Sequence, residues 1–219
     1  MARVPRLVLA SQSPARLATL KSAGVVPHVV VSGVDEDKAL ADAAERFGEL
    51  DPADAVLVLA QAKAEEVAAR IEADANEPGG VVVGCDSMLE IDGTVVGKPA
   101  DADAARDRWR SMRGGKGVLH TGHWVVDLRD VSAGGTGDTL GSTSSTTVWF
   151  ADIDDEEIDA YVATGEPLHV AGAFTIDGLG GAYVERIEGD HHGVVGISLP
   201  LLRDLLAELG IPWRALRTT

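Results

Sequence analysis

Short apolar runs broken by polar clusters set the rhythm of this chain. The first run, Leu-Val-Leu-Ala at 7–10, is continuous, and residues 6–10 predict a short buried strand. Ser13 and Pro14 then serve as helix cap and first-turn residue, Leu17 and Leu20 keep helical spacing, and Gly24 closes the helix. The Val-rich stretch Pro27 to Ser32 predicts a second strand, ending in the acidic strand-to-loop corner Gly33-Val34-Asp35-Glu36-Asp37. Residues 52–75 predict a long amphipathic helix with Leu57, Leu59, Ala60, Val67 and Ile71 inward, broken by Pro78-Gly79-Gly80. Val81 to Val83 begin the next strand, which delivers Gly84-Cys85-Asp86. Leu89-Glu90-Ile91 and Thr94-Val95-Val96 flank Asp92-Gly93, a two-residue hairpin signal. Gly97-Lys98-Pro99 ends the hairpin, and a helix follows over about 101–112.

Further on, 118–128 and 139–151 read as antiparallel strands, with the Gly/Ser/Thr-rich stretch 132–145 as a loop or tip. Residues 154–163 predict a short acidic helix. The glycine-rich segment 171–196 holds Phe174, Ile176, Tyr183, Val184 and Ile187 and is too apolar for a linker. A last helix runs from Leu199 to Leu209. No internal repeat or domain linker interrupts this order, which predicts an α/β fold with a mixed sheet and flanking helices.

Composition narrows the classes. The 219 residues suit a single domain, and 45% hydrophobic with 25% charged residues is a globular balance. A formal net charge of −16 argues against a general nucleic-acid surface and against binding to anionic membranes. It also makes any local group of cations noteworthy. The single cysteine, Cys85, excludes an internal disulfide and fits a reducing cytosol. The N-terminal Met-Ala-Arg-Val-Pro-Arg has no signal-peptide apolar core, and no stretch approaches the ~20 apolar residues of a membrane span. The expectation is a soluble cytoplasmic protein.

Chemistry concentrates where strands end. Ser11 and Ser13 add hydroxyls, and Arg16 a planar fork of donors, to the unpaired N–H groups of a helix start, a plausible phosphate cradle. On that stretch alone, capping by Ser13 with a solvated Arg16 is the ordinary alternative. The hairpin brings Asp86 and Lys98 to nearby ends of paired strands, where they face one cleft or form a structural ion pair. Glu36, with Asp35 and Asp37, offers carboxylates at another strand end; with Asp86 they suit a hard divalent cation, and alone they read as a solvated turn. Lys63 on the long helix reads by itself as a surface lysine. His120 and His123, three apart in a strand, point to opposite faces and make poor joint ligands. His191-His192 lie in a predicted loop with little claim to a metal, and Cys85 reads as a buried small hydrophobe. Gly178-Leu179-Gly180-Gly181 lacks the strand-to-helix setting of a dinucleotide loop, and no Walker sequence is present.

In this order and spacing the pieces resemble the Maf family of nucleoside triphosphate pyrophosphatases, from Leu7 to about Leu209. The resemblance is carried by Leu-Ala-Ser-Gln-Ser-Pro-Ala-Arg at 9–16, Asp-Glu at 35–36, Gly-Cys-Asp at 84–86 and Gly-Lys-Pro at 97–99. It continues in Tyr161, Gly165-Glu166-Pro167, Ala171-Gly172-Ala173-Phe174, Glu188-Gly189-Asp190 and Val194-Val195-Gly196. The resemblance implies one domain over 1–219, with two lobes around a deep cleft as in the Maf and ITPase folds. It implies hydrolysis between the α and β phosphates of a nucleoside triphosphate, giving a monophosphate and pyrophosphate. Asp86 would be the general base, with Ser11, Arg16, Glu36, Lys63 and Lys98 lining the substrate site and Glu36 helping Asp86 hold Mg²⁺ or Mn²⁺. A homodimer would be unsurprising. Ala15, Val170 and Asp177 depart from the family pattern at expected substrate-contacting positions, which leaves open pyrimidine triphosphates or modified ones such as 7-methyl-GTP. Asp177 would contact a base edge or cap a turn. Rival classes are a non-catalytic nucleotide-binding regulator of septum formation, and a phosphate-monoester hydrolase.

Overall fold

Strand β1, Leu7–Leu9, sends Leu7 and Leu9 to one face and Val8 to the other, and all three are buried. A strand covered on both sides needs the continuous apolar run seen in its sequence. In the computed structural model, which describes residues 5–217, β1 pairs in parallel with β2 (His28–Val29) and with β3 (Val81–Ile91). The remaining pairings are antiparallel: β4 (Thr94–Val96) and β5 (Lys116–Asp127) with β3, β6 (Thr139–Phe150) with β5, and β7 (Val184–Glu188) with β6. The result is a seven-stranded mixed sheet in the order β2-β1-β3-β5-β6-β7, with β4 off that path.

Parallel neighbours need crossovers, and helices supply them. Helix α1 (Pro14–Ser22) joins β1 to β2; α2 (Glu36–Phe47) and α3 (Pro52–Ala73) lie between β2 and β3. Ser13 and Pro14 start α1 as the sequence predicts, Ser13 Oγ accepting from the Arg16 N–H at 3.4 Å. Helix α3 lies unusually close to the sheet. A Cβ on Gly84 would stand 2.2 Å from the Ala60 carbonyl, and one on Gly122 would stand 2.3 Å from that of Val56. Those two glycines, diagonal neighbours on one face of β3 and β5 (Gly84 pairs with Trp124, Gly122 with Asp86), let the helix backbone approach.

Three apolar groups fill the layers. Leu7, Leu9, Leu20, Val83, Leu202 and Leu206 join one sheet face to α1 and to α7 (Leu199–Glu208). Val8, Val82, Ala64, Val67 and Ile71 pack the other face under α3. Trp109, Phe150, Tyr161 and Phe174 centre a third group beneath α4 (Ala102–Met112) and α5 (Asp155–Ala163). Among the described residues no helix is long and apolar enough to cross a membrane.

The hairpin turn is as predicted: Asp92 and Gly93 both take positive φ, 49° and 78°, as a type I′ turn requires. Four expectations need correction. The second strand shrinks to two residues. The acidic corner is the cap of α2, where Asp35 Oδ1 accepts from the Lys38 N–H. The Gly/Ser/Thr-rich residues from Thr139 onward are strand β6, because their backbone pairs with β5 throughout. His191 and His192 open a short helix, α6 (His191–Val195), capped by Asp190.

Candidate functional site

Strand β1 stops at Leu9, opposite Val83, while β3 runs on to Ile91. Asp86 therefore sits within a strand rather than at its end. It still lies beyond the carboxyl end of the parallel portion, the position where open α/β sheets leave a crevice. Successive side chains of β3 turn to opposite faces there. Asp86 meets α3 on one side, and Ser87 meets α1 on the other.

A cavity of about 640 Å³ occupies this step. Ser11, Ser13, Arg16, Glu36, Lys63, Asp86, Lys98 and Asp177, contributed by separate parts of the chain, all line it. On the α3 side the expected surface lysine is buried. Lys63 Nζ lies 2.5 Å from Asp86 Oδ1 and 2.7 Å from Glu36 Oε1, its side chain 11% exposed against 54% for Glu36. The close approach through Gly84 and Gly122 brings this ammonium to the sheet. Asp35 and Asp37 do not line the cavity.

On the α1 side Arg16 is held by three acceptors: its Nε donates to the Gly196 carbonyl (2.7 Å), Nη1 to Ser11 Oγ (3.2 Å) and Nη2 to Ser87 Oγ (3.1 Å). Three of the five guanidinium N–H groups are thereby engaged. Ser11 Oγ also accepts from the Ser13 N–H, so its own proton is free to donate. The chain continues inward: Ser87 Oγ lies 2.9 Å from Thr121 Oγ1, which donates to the Gly193 carbonyl at 2.8 Å. With Thr121 donating onward, Ser87 is the donor to Thr121. Below them His123 is fully buried. Its Nε2 accepts from the Ser198 N–H (2.8 Å), so the proton sits on Nδ1, 3.0 Å from the Thr121 carbonyl. Burial pushes the His123 pKa down to about 4, which keeps the ring neutral. Sequence reasoning missed Ser87, Thr121 and His123 as parts of the site; the signal was the register, which places Ser87 directly opposite Thr121.

Lys98 follows Gly97, whose carbonyl accepts from the Arg108 guanidinium of α4 and from the Gly172 N–H. Among the described residues Lys98 and Asp177 have no hydrogen bond or ion pair, so Asp177 does not cap the turn that follows it. Asp177 also borders a second cavity of about 330 Å³ beside His191 and His192. Cys85 is fully buried and its thiol is pushed up to about 12, chiefly by burial, which removes it as a nucleophile. His120 bonds Ser145 and Glu90, away from His123.

The cavity thus pairs three cations, Arg16, Lys63 and Lys98, with three carboxylates, Glu36, Asp86 and Asp177. It is balanced within a chain of net charge −16. Among the described residues no group of three or more His, Cys, Asp or Glu side chains is placed to hold a metal ion unaided. Glu36 and Asp86 converge on Lys63, and that pair fits an ion such as Mg²⁺, which takes one or two carboxylates and completes its shell with water and substrate phosphate.

A family profile described as Maf-like protein matches residues 6–209. A nucleoside triphosphate pyrophosphatase of Salinispora tropica is 55% identical over 207 residues, covering 94% of this chain and 85% of that one. One of Streptomyces coelicolor is 52% identical over 205 residues (94% and 91%), and one of Mycobacterium ulcerans 51% over 218 residues (96% of each). A solved structure, that of the Staphylococcus aureus Ham1 protein, aligns over 96% of this chain and 93% of that one with 12% identity. Its TM-score of 0.38 is too low to carry over any feature.

Proposed function

The chain belongs to the Maf-like family, and from that premise we propose that it is a nucleoside triphosphate pyrophosphatase. It would act in the cytoplasm, hydrolysing the bond between the α and β phosphates to give a nucleoside monophosphate and pyrophosphate. The observation that carries this reading is the convergence of Arg16, Lys63, Lys98, Glu36 and Asp86 on one cavity.

In this reading the N–H groups at the start of α1, the Ser11 and Ser13 hydroxyls and the two unengaged N–H groups of Arg16 bind phosphate oxygens. Asp86 keeps Oδ1 on Lys63, which leaves Oδ2, with two lone pairs, to serve both the cation and the attacking water whose proton it would take. A carboxylate is a weak base near neutrality, so this role needs assistance. Glu36 and Asp86 would hold the divalent cation, Mg²⁺ or Mn²⁺, which when bound neutralises phosphate oxygens and acidifies the attacking water. Such an ion also answers the charge problem, since three cations already balanced by three carboxylates leave a polyanionic triphosphate uncompensated. Lys98, free of protein partners, stabilises charge on the departing pyrophosphate. Phe174, Ile176 and Val170 form an apolar wall suited to a base, with Asp177 at its rim.

The test is a panel of pyrimidine, purine and modified triphosphates with Mg²⁺ or Mn²⁺, products resolved by chromatography. Pyrophosphate with monophosphate is expected. Inorganic phosphate would mean a monoester hydrolase, and binding without turnover a regulator. Asp86→Asn should lower kcat by at least about 10²-fold while the protein still folds, less stable for the loss of the Lys63 ion pair. Retained turnover in that variant would refute its role.

A further inference from the structure

Gly165-Glu166-Pro167 carries part of the family resemblance, yet Glu166 does not line the cavity. Its carboxylate is heavily used. Oε1 accepts from Tyr161 Oη (3.0 Å), Thr175 Oγ1 (2.5 Å) and the Gly180 N–H (2.9 Å); Oε2 accepts from the Leu179 N–H (3.0 Å). The chain from Phe174 to Gly178 has neither helix nor strand to order it. It wraps around this one carboxylate instead.

The fit is tight. A Cβ on Gly178 would stand 2.5 Å from Glu166 Oε2, and one on Gly180 would stand 2.4 Å from Tyr161 Oη. Burial by itself would raise the Glu166 pKa; the hydrogen bonds from Thr175, Leu179 and Gly180 more than offset it, and the value lies below the usual range. Tyr161 is pushed upward by burial, so its hydroxyl stays a donor.

The tethered segment supplies Thr175, Ile176 and Asp177 to the cavity. An apolar side chain and a carboxylate are poor company for phosphate, whose cations come from Arg16, Lys63 and Lys98. This wall therefore meets the nucleoside end. We propose that Glu166 is a positioning residue for substrate selection: by fixing Thr175–Asp177 as one rigid wall, it sets how sharply the cavity discriminates among nucleobases. The inference rests on the pyrophosphatase reading above.

The test compares wild type, Glu166→Gln and Tyr161→Phe on the triphosphate panel. Glu166→Gln keeps the size but sets an amide N–H against donors. It should raise KM for the preferred substrate by about tenfold, lower the kcat/KM ratio between best and second-best substrates by a similar factor, and change kcat less than about threefold. Tyr161→Phe removes one of the four hydrogen bonds outside the cavity and should shift the same ratio in the same direction by about two- to threefold. It decides the matter if Glu166→Gln does not fold. A fall in kcat equal for every substrate, or an unchanged ratio in both variants, overturns the inference and leaves the pyrophosphatase reading intact. Failure of wild type to release pyrophosphate sinks both.

Discussion

The cavity has two differently built sides. Arg16 and Lys63 come from helices crossing regular strands, over cores of Leu7, Leu9, Leu20, Leu202 and Leu206 or of Val67 and Ile71. Phe174 to Asp177 come from a region of turns. There Trp109 stands edge-on to Phe150, Tyr161 and Tyr183, with centroids 5.9, 5.5 and 5.7 Å away, and its Nε1 donates to the Ala173 carbonyl at 2.8 Å. Backbone ladders fix geometry on the first side. On the second, where no ladder holds Phe174 to Asp177, rings with a preferred edge-to-face arrangement and a multiply bonded carboxylate do so. The lesson is that the end we assign to phosphate is placed by secondary structure and the wall we assign to the base is placed by side chains.

The largest test of that contrast is Trp109→Ala set beside Leu202→Ala. Both side chains are fully buried. Truncation should cost about 3–5 kcal/mol for Trp109 and about 2–5 kcal/mol for Leu202, read from urea unfolding. The two should part in kinetics. Trp109→Ala frees the Ala173 carbonyl and loosens the neighbouring wall, so substrate selectivity falls. Leu202→Ala leaves selectivity as it was, because strand pairing still holds the end that carries Arg16 and Lys63. Equal selectivity losses would erase the distinction between the sides.

The same contrast explains what the sequence disclosed. Ser13-Pro14, Asp92-Gly93 and the apolar run at 7–10 are local signals, and each produced its element. Helix α2 was hidden because its one buried residue is Ala43, so no stripe of large apolar side chains marks it. Strand β3 reads in sequence as a strand to Asp86 and a separate hairpin arm at 89–91, because Asp86 and Ser87 interrupt its apolar pattern, being turned toward Lys63 and Arg16. Of the residues that line the cavity, those with recognisable neighbours in sequence, such as Ser11, Arg16 and Lys98, are legible as candidates. Thr121 and His123 were not, since their parts depend on the register of β3 against β5 and on α6 and Ser198 packing beside them. The burial of Lys63 followed from glycines on two strands, which no local window contains.

A second, smaller effect separates the sides by acid. Folding holds the His123 pKa near 4, chiefly through burial, whereas an unfolded imidazole takes its proton near 6.5. Stability from this neutral ring is full above about pH 6.5. As pH falls toward 4, protonation favours the unfolded chain by about 1.4 kcal/mol per unit, up to about 3 kcal/mol in all. Asp127, buried and bonded to Arg129 and Thr136, has its pKa lowered to about 2. Burial opposes that shift and the hydrogen bonds outweigh it, so its stability fades only from about pH 3.8 downward. Unfolding free energies measured between about pH 7 and 4.5 should therefore decline in wild type, and His123→Gln should flatten the slope. An unchanged slope would mean that the ring beneath Arg16 already accepts a proton in the fold.

The smallest effect should come from the charges on the outer surface of the aromatic side. Helices α4 and α5 are laced by Arg106–Asp159 (2.7 Å), Arg110–Asp155 (3.2 Å) and Arg113–Asp155 (2.7 Å). These pairs are open to solvent, where attraction is screened and the ordering of long side chains opposes it. Beneath them lie Trp109, Ile158, Tyr161 and Val162, whose burial is indifferent to charge. If the rings hold this region together, Asp155→Asn should move the unfolding midpoint far less than Trp109→Ala. What shift remains should vanish near about 1 M salt, where the screening length is about 3 Å. A shift comparable to that of Trp109→Ala, persisting in salt, would mean that surface charge and not ring packing fixes α4 against α5. The turns that carry Thr175 to Asp177 would then be braced from outside, and the contrast between the two sides of the cavity would need to be redrawn.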